Sequence, residues 1–146
     1  MKVSVVESVV DRSVREARAM SFYIDRRLIC KIIVLYLKFD HGVWAALTTS
    51  DGKNVFELMD GEPRLLGLDE IEDECAYPVR SIQLNCIGKH MKKVWQYSWN
   101  GIADELNGFY IEFEDESGLS VYEKQGCLII IDYLRKDERY VLLPYD

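Results

Sequence analysis

The carboxylates between residues 104 and 116 are the side chains of this chain whose spacing most invites chemistry. Asp104, Glu105, Glu112, Glu114, Asp115 and Glu116 fall in that window, with no Lys or Arg among them. Glu112 and Glu114 lie two apart in a strand-like run, so both leave the same face. Such a set can hold a divalent cation or act as acid and base. The acidic calcium loop closed by glycine is absent, however. Carboxylates at a strand end are ordinarily solvated, and a partner-binding face is the further reading. No metal and no cofactor is expected.

Other candidates are weaker. His41 beside Asp40 has the composition of a general base and its orienter. No Ser or Cys stands in a nucleophile elbow, and Gly42 marks the segment as a turn. His90, flanked by Lys89, Lys92 and Lys93, marks an exposed basic loop. Glycine-rich phosphate loops are missing, so nucleotide binding has no support. Cys30, Cys75, Cys86 and Cys127 contain no C-x-x-C pair, and the two histidines are not in a ligand register, which argues against zinc. Cys30, Cys86 and Cys127 lie in apolar runs, where a free thiol behaves as a small hydrophobe. All four are expected to be reduced, in a cytoplasmic protein.

Trp95, Tyr97 and Trp99 share one face at strand spacing. They either line the core or form an exposed interface stripe, because Trp and Tyr dominate binding hot spots. Stacking on nucleic-acid bases needs a basic surround. The residues that follow are acidic instead, which suits a basic protein surface. The candidate partner-binding residues are therefore Trp95, Tyr97, Trp99, Asp104, Glu105, Glu112, Glu114, Asp115 and Glu116. No nucleic acid is expected.

A block that occurs twice supplies the elements that position these groups. Residues 35–58 and 109–132 each read as an apolar strand ending in Phe, an acidic turn closed by Gly, a second strand, a Gly turn and a third strand. Phe109, Ile111 and Phe113 are expected to face inward, with Tyr110, Glu112 and Glu114 outward. Residues 28–39 read as a strand buried on both sides. Asp51-Gly52 signals a hairpin, and residues 140–143 read as a last strand. Near the N-terminus a strand is expected over 3–10 and a short helix over 11–20. Ser4 with Glu7 matches a capping box and favours a helix there instead.

These elements predict an α+β fold that is mainly antiparallel β. Two similar β-meander units pack as one pseudo-symmetric sheet or partly open barrel, with at most one or two short helices. The expected divisions are a first β unit over 1–60, an acidic connector over 61–78 and a second β unit over 79–146, all in one domain. A length of 146 residues supports one domain with a sizeable core. The longest apolar run, Ile32–Leu37, is too short to cross a bilayer, and residues 1–12 lack the pattern of a signal peptide. A net charge of −7 disfavours general phosphate-backbone binding and favours a basic partner.

A small acidic chain of this kind, mixed-β and without catalytic motifs, resembles the immunity proteins of bacterial toxin systems. The likeness is one of overall character across the whole chain. It implies a non-catalytic protein whose acidic and aromatic face blocks a basic toxin domain. Two other readings follow from the residues: a structural or scaffold domain that self-associates, as a homodimer, and a carboxylate- or metal-dependent enzyme.

Overall fold

The computed structural model describes residues 4–102 and 105–145. A short helix, α1 (Val5–Val9), is followed by β1 (Val14–Ile24), β2 (Arg27–Phe39), β3 (Trp44–Ser50) and β4 (Lys53–Leu58). Next come a 3-10 turn at Leu68–Glu70, then β5 (Cys75–Ala76) and β6 (Val79–Ile82). β7 (Met91–Trp99), β8 (Leu106–Phe113), β9 (Gly118–Lys124), β10 (Cys127–Ile131) and β11 (Tyr140–Pro144) complete the chain.

All pairing is antiparallel and falls into two sheets. The first has the order β4-β3-β2-β1-β5, with β6 also on β1. The second has the order β10-β9-β8-β7-β11. The two copies of the doubled block thus occupy the second, third and fourth strands of two four-stranded meanders. The expectation of a single sheet or partly open barrel is corrected to two sheets with one core between them. The reason is that each meander carries one strongly apolar face, and each face must be covered by another layer. Leu35, Leu37 and Phe39 of β2, with Leu47 and Phe56, form one wall of the core. Val94, Phe109, Ile111, Phe113, Leu119 and Val121 form the other. Phe109, Ile111 and Phe113 point inward as their alternation requires.

The N-terminal expectation is reversed. Residues 5–9 are helical, and Ser4 caps the helix by accepting from the Glu7 amide at 3.1 Å. That cap and the burial of Val9 outweigh the poor helix propensity of the valines. The segment expected to be helical is β1, whose inward residues Ala17 and Ala19 are small and fully buried. Register shifts near Glu16 and Phe22 break the alternation that would have marked the strand.

The first sheet is buried on its outer side as well. Tyr36, Trp44 and Val79 form a second apolar cluster there with Met20, Val34, Ala46 and Met59. The connector is held over this cluster by Arg18. Its guanidinium stacks 4.7 Å above Trp44 and donates to the Pro63 carbonyl at 2.7 Å and to Glu62 at 2.6 Å. β6 then pairs with β1, so Val79–Ile82 belongs to the first sheet, and the second begins at Met91.

Two links join the sheets, each from an edge strand of one sheet to an inner strand of the other. Asn54 of β4 mimics a strand partner for Gly108 of β8: its Oδ1 accepts from the Gly108 amide at 2.7 Å, and its Nδ2 donates to the Gly108 carbonyl at 2.9 Å. Across the molecule, Cys30 of β2 and Cys127 of β10 form a disulfide with a Cα–Cα distance of 5.4 Å. The expectation that all four cysteines are reduced is therefore corrected for this pair. The apolar runs that made them look like core residues place them on facing strands of the two sheets, within bonding reach. Cys75 is exposed and Cys86 buried, both as free thiols. Burial pushes the Cys86 thiol up to about 12, which leaves it unreactive.

Candidate functional site

The aromatic stripe of β7 lies on the outer, solvent-facing side of the second sheet. Register fixes this, because Val94 pairs with buried Ile111 and Trp95 pairs with Tyr110. The inward positions after Val94 are Gln96 and Ser98. Gln96 accepts from Asn54 of the other sheet at 3.3 Å, and the Ser98 hydroxyl donates to the Ile102 carbonyl at 2.6 Å. Polar residues are thus satisfied inside while the rings lie outside, the reverse of what hydrophobicity alone selects.

The three rings differ in access. Trp95 and Trp99 are half-buried, whereas Tyr97 is only 2% exposed. The segment after β10 folds across Tyr97. Its hydroxyl accepts from the Arg135 amide at 2.9 Å and bonds the Ser120 hydroxyl at 2.8 Å. Ser120 in turn donates to the Tyr133 carbonyl at 2.7 Å. Burial raises the Tyr97 phenol above its ordinary value. The Arg135 guanidinium is layered 4.0 Å from the Tyr122 ring and 4.3 Å from Tyr140. Lys93 lies 3.8 Å over Trp95, and Arg139 lies 5.3 Å over Trp99. Each cation is held to a ring by its quadrupole, and the rings gain a charged cover.

The structure divides the sequence window into two places. Glu105 lies at the Trp99 end of the sheet, where its carbonyl accepts from the Trp99 amide at 2.8 Å. Asp104 lies outside the described residues. The other acids gather at the opposite end of β8, roughly 23 Å away at the usual strand rise. Glu112 lies two residues beyond Tyr110 on the same outer face. Glu114, Asp115 and Glu116 form the exposed β8–β9 turn. The turn is braced by Asp115, which accepts from both the amide and the hydroxyl of Ser117. Gly118 beside it leaves room for the Tyr110 ring, which a Cβ there would displace.

Part of this acid is neutralised locally by β7 and the loop before it. Lys92 lies 3.3 Å from Glu112, and Lys89 lies 3.2 Å from Asp115. Among the described residues, Glu114 and Glu116 have no ion-pair partner. The patch that assembles is therefore Trp95 with Tyr110, rimmed by Glu112, Glu114 and Glu116. Tyr110 was missed as a site residue because it reads as one more alternating aromatic of β8. Its cross-strand pairing with Trp95 depends on the β7–β8 register, which the sequence leaves unstated.

The acidic turns carry a pH signature. Hydrogen bonds from the Ser117 hydroxyl and amide, together with Lys89, hold the Asp115 carboxyl at about 2. Arg139, by side-chain and backbone hydrogen bonds, does the same for Asp137. A folded value below the unfolded value means stabilisation that is complete above the ordinary carboxylate range and lost as pH falls. The melting temperature should thus decline between about pH 4 and pH 2. Asp137→Asn should flatten that decline in a series of thermal melts.

The catalytic candidates do not assemble. The Asp40 carboxylate accepts from the Ser13 amide at 3.1 Å and from the Ser13 hydroxyl at 3.2 Å, while Arg12 approaches it at 3.5 Å. The Ser13 amide and hydroxyl, with Arg12, draw the Asp40 carboxyl below its usual range. The His41 ring turns away to the Ser8 carbonyl, with Nε2 at 3.0 Å. Asp40 and His41 therefore tie the β2–β3 turn to the N-terminal segment. Among the described residues, no three of His, Cys, Asp and Glu are grouped so as to hold a metal ion.

Comparison with protein-family models, with curated proteins and with solved structures gave no match. The reading of function therefore rests on the geometry alone.

Proposed function

We propose that the chain is a non-catalytic binding protein of the immunity or antitoxin kind. It neutralises a basic protein partner through the acidic, aromatic end of its second sheet. The observation that carries this reading is the placement of Trp95 and Tyr110 side by side on the outer face, on the same sheet as the carboxylates of Glu114 and Glu116, which have no ion-pair partner among the described residues. Half-buried aromatics rimmed by charge are the composition of a binding hot spot. Glu112 and Asp115, each held by a lysine, shape the rim. Tyr97 acts from beneath by fixing the segment over the sheet. Trp99 and Glu105, at the far end, are outside this patch.

A nucleic-acid partner is disfavoured by the net charge of −7 and by the carboxylates of Glu112, Glu114 and Glu116 on the same sheet as Trp95 and Tyr110. The cytoplasmic placement expected from the sequence relied on reduced thiols, and the Cys30–Cys127 bond removes that support, since disulfides are rare in reducing compartments. Among the described residues, no helix is long and apolar enough to cross a membrane.

The experiment is co-expression of the chain with the product of the adjacent coding region. The expected result is a stable complex, and rescue of growth where that product is toxic alone. Trp95→Ala should weaken the complex by about thirtyfold, the loss of one hot-spot side chain. Failure of the two products to associate at micromolar concentration would remove the immunity reading.

A further inference from the structure

One feature combines a formed cavity with directional charge. The two sheets are not closed against each other on the side where β2, the crossover after β6 and β10 meet. A cleft of about 500 Å³ opens there, within the ~300–1,000 Å³ usual for small-molecule sites. Its lining includes Ile32, Ile82, Leu84 and Ile130, all of which belong to or pack against the hydrophobic core. Core side chains thus reach solvent at the bottom of an open slot.

The polar groups at the rim are unequal. Lys31 and Arg80 line the cleft and are exposed. Neither is in an ion pair among the described residues, although the chain has 25 acids for 18 bases. The acid of the rim, Asp132, already accepts from the Asn85 amide nitrogen at 2.7 Å. The charged side chains of the lining are two cations, Lys31 and Arg80, against one anion, Asp132, so the rim is net positive. Arg80 is oriented by a long contact from its guanidinium to the Lys31 carbonyl at 3.5 Å, which keeps the two cationic residues on neighbouring backbone. The adjacent disulfide pins β2 to β10 one residue before Lys31, so the width of the slot is fixed covalently.

We propose that this cleft is a binding site for a small aliphatic carboxylate. The carboxylate head is received by Arg80 and Lys31, and the hydrocarbon tail lies on Ile32, Ile82, Leu84 and Ile130. An apolar floor supplies non-directional affinity. A guanidinium with an ammonium beside it supplies the charge-assisted hydrogen bonds that select an anionic head. The site is separate from the Trp95–Tyr110 patch, so either assignment stands or falls without the other.

The test titrates the full-length protein with sodium octanoate, followed by calorimetry and by methyl NMR. Octylammonium chloride and octanol serve as matched probes with the wrong head. Saturable octanoate binding is expected, with shifts of the Ile82 and Ile130 methyls. Arg80→Ala and Lys31→Ala should each weaken it about tenfold, the worth of one charge-assisted contact. Both side chains are exposed, so the variants should melt with the parent protein. Ile82→Trp, which fills the slot, should abolish binding. Three results overturn the proposal: no saturation by octanoate, equal binding of octylammonium or octanol, or methyl shifts confined to residues outside the cleft. Unchanged affinity in both Arg80→Ala and Lys31→Ala equally overturns the assignment of the head.

Discussion

Replacing Cys30 and Cys127 together by serine should lower unfolding stability by about 2–5 kcal/mol. The bond spans 97 residues of sequence, and closing a loop of that size removes much of the freedom of the unfolded chain. The chain-entropy estimate for a 100-residue loop is about 4.7 kcal/mol. The bond also joins β2 of one sheet to the edge strand β10 of the other. Cys30 is itself 6% exposed, so the serine hydroxyl at that position adds a desolvation cost. Urea denaturation of the parent, the double serine variant and the reduced parent would measure this. Both the variant and the reduced parent should fall below the oxidised protein, the variant further because of the buried hydroxyl. Thiol titration of the unreduced, denatured chain should find only Cys75 and Cys86.

Gly108→Ala should be nearly as damaging, by roughly 2–5 kcal/mol from combined backbone strain and overpacking. Gly108 has φ +107, a region that residues with a Cβ rarely adopt. A Cβ there would collide with the Val121 carbonyl oxygen and with Tyr122 on the neighbouring strand. The glycine lies at a bulge, because three residues of β8 span the interval that two residues of β7 span between the Ser98–Leu106 and Gln96–Phe109 pairs. The bulge presents the Gly108 amide and carbonyl to Asn54, which joins the sheets through them. Any shift that relieves the collision also breaks those two bonds. Gly42→Ala is the control: its φ is +83, but nothing lies within 4 Å of the added carbon. It should cost only the backbone preference, about 1–2 kcal/mol. Chemical denaturation of the two variants should separate these terms.

Much of the fold is legible in the chain, for reasons that particular residues show. Phe109, Ile111 and Phe113 alternate with polar or amphipathic neighbours, and so do Leu35, Leu37 and Phe39. Asp51-Gly52 and Gln125-Gly126 both take positive φ, the backbone that tight hairpins need. What the chain does not display is pairing between distant segments. Cys30 and Cys127 lie in ordinary apolar strands, and only the packing of β2 against β10 brings them together. β1 is hidden by its small inward alanines and its three register shifts. The outer position of Trp95, Tyr97 and Trp99 is obscured because Gln96 and Ser98, facing inward, find partners contributed by other segments. The acids at 104–116 are close in sequence, yet β8 carries Glu105 and the 114–116 turn to opposite ends of the sheet.

The most direct measurement of the central claim is the affinity of the proposed basic partner, sought in the product of the adjacent coding region, for the Glu112→Lys, Glu114→Lys, Glu116→Lys triple variant. These side chains are half-buried or exposed, so circular dichroism and melting should first show a parent-like fold. The account predicts a loss of at least about a hundredfold in affinity, from removed attraction and added like-charge repulsion. An affinity equal to that of the parent protein would contradict it.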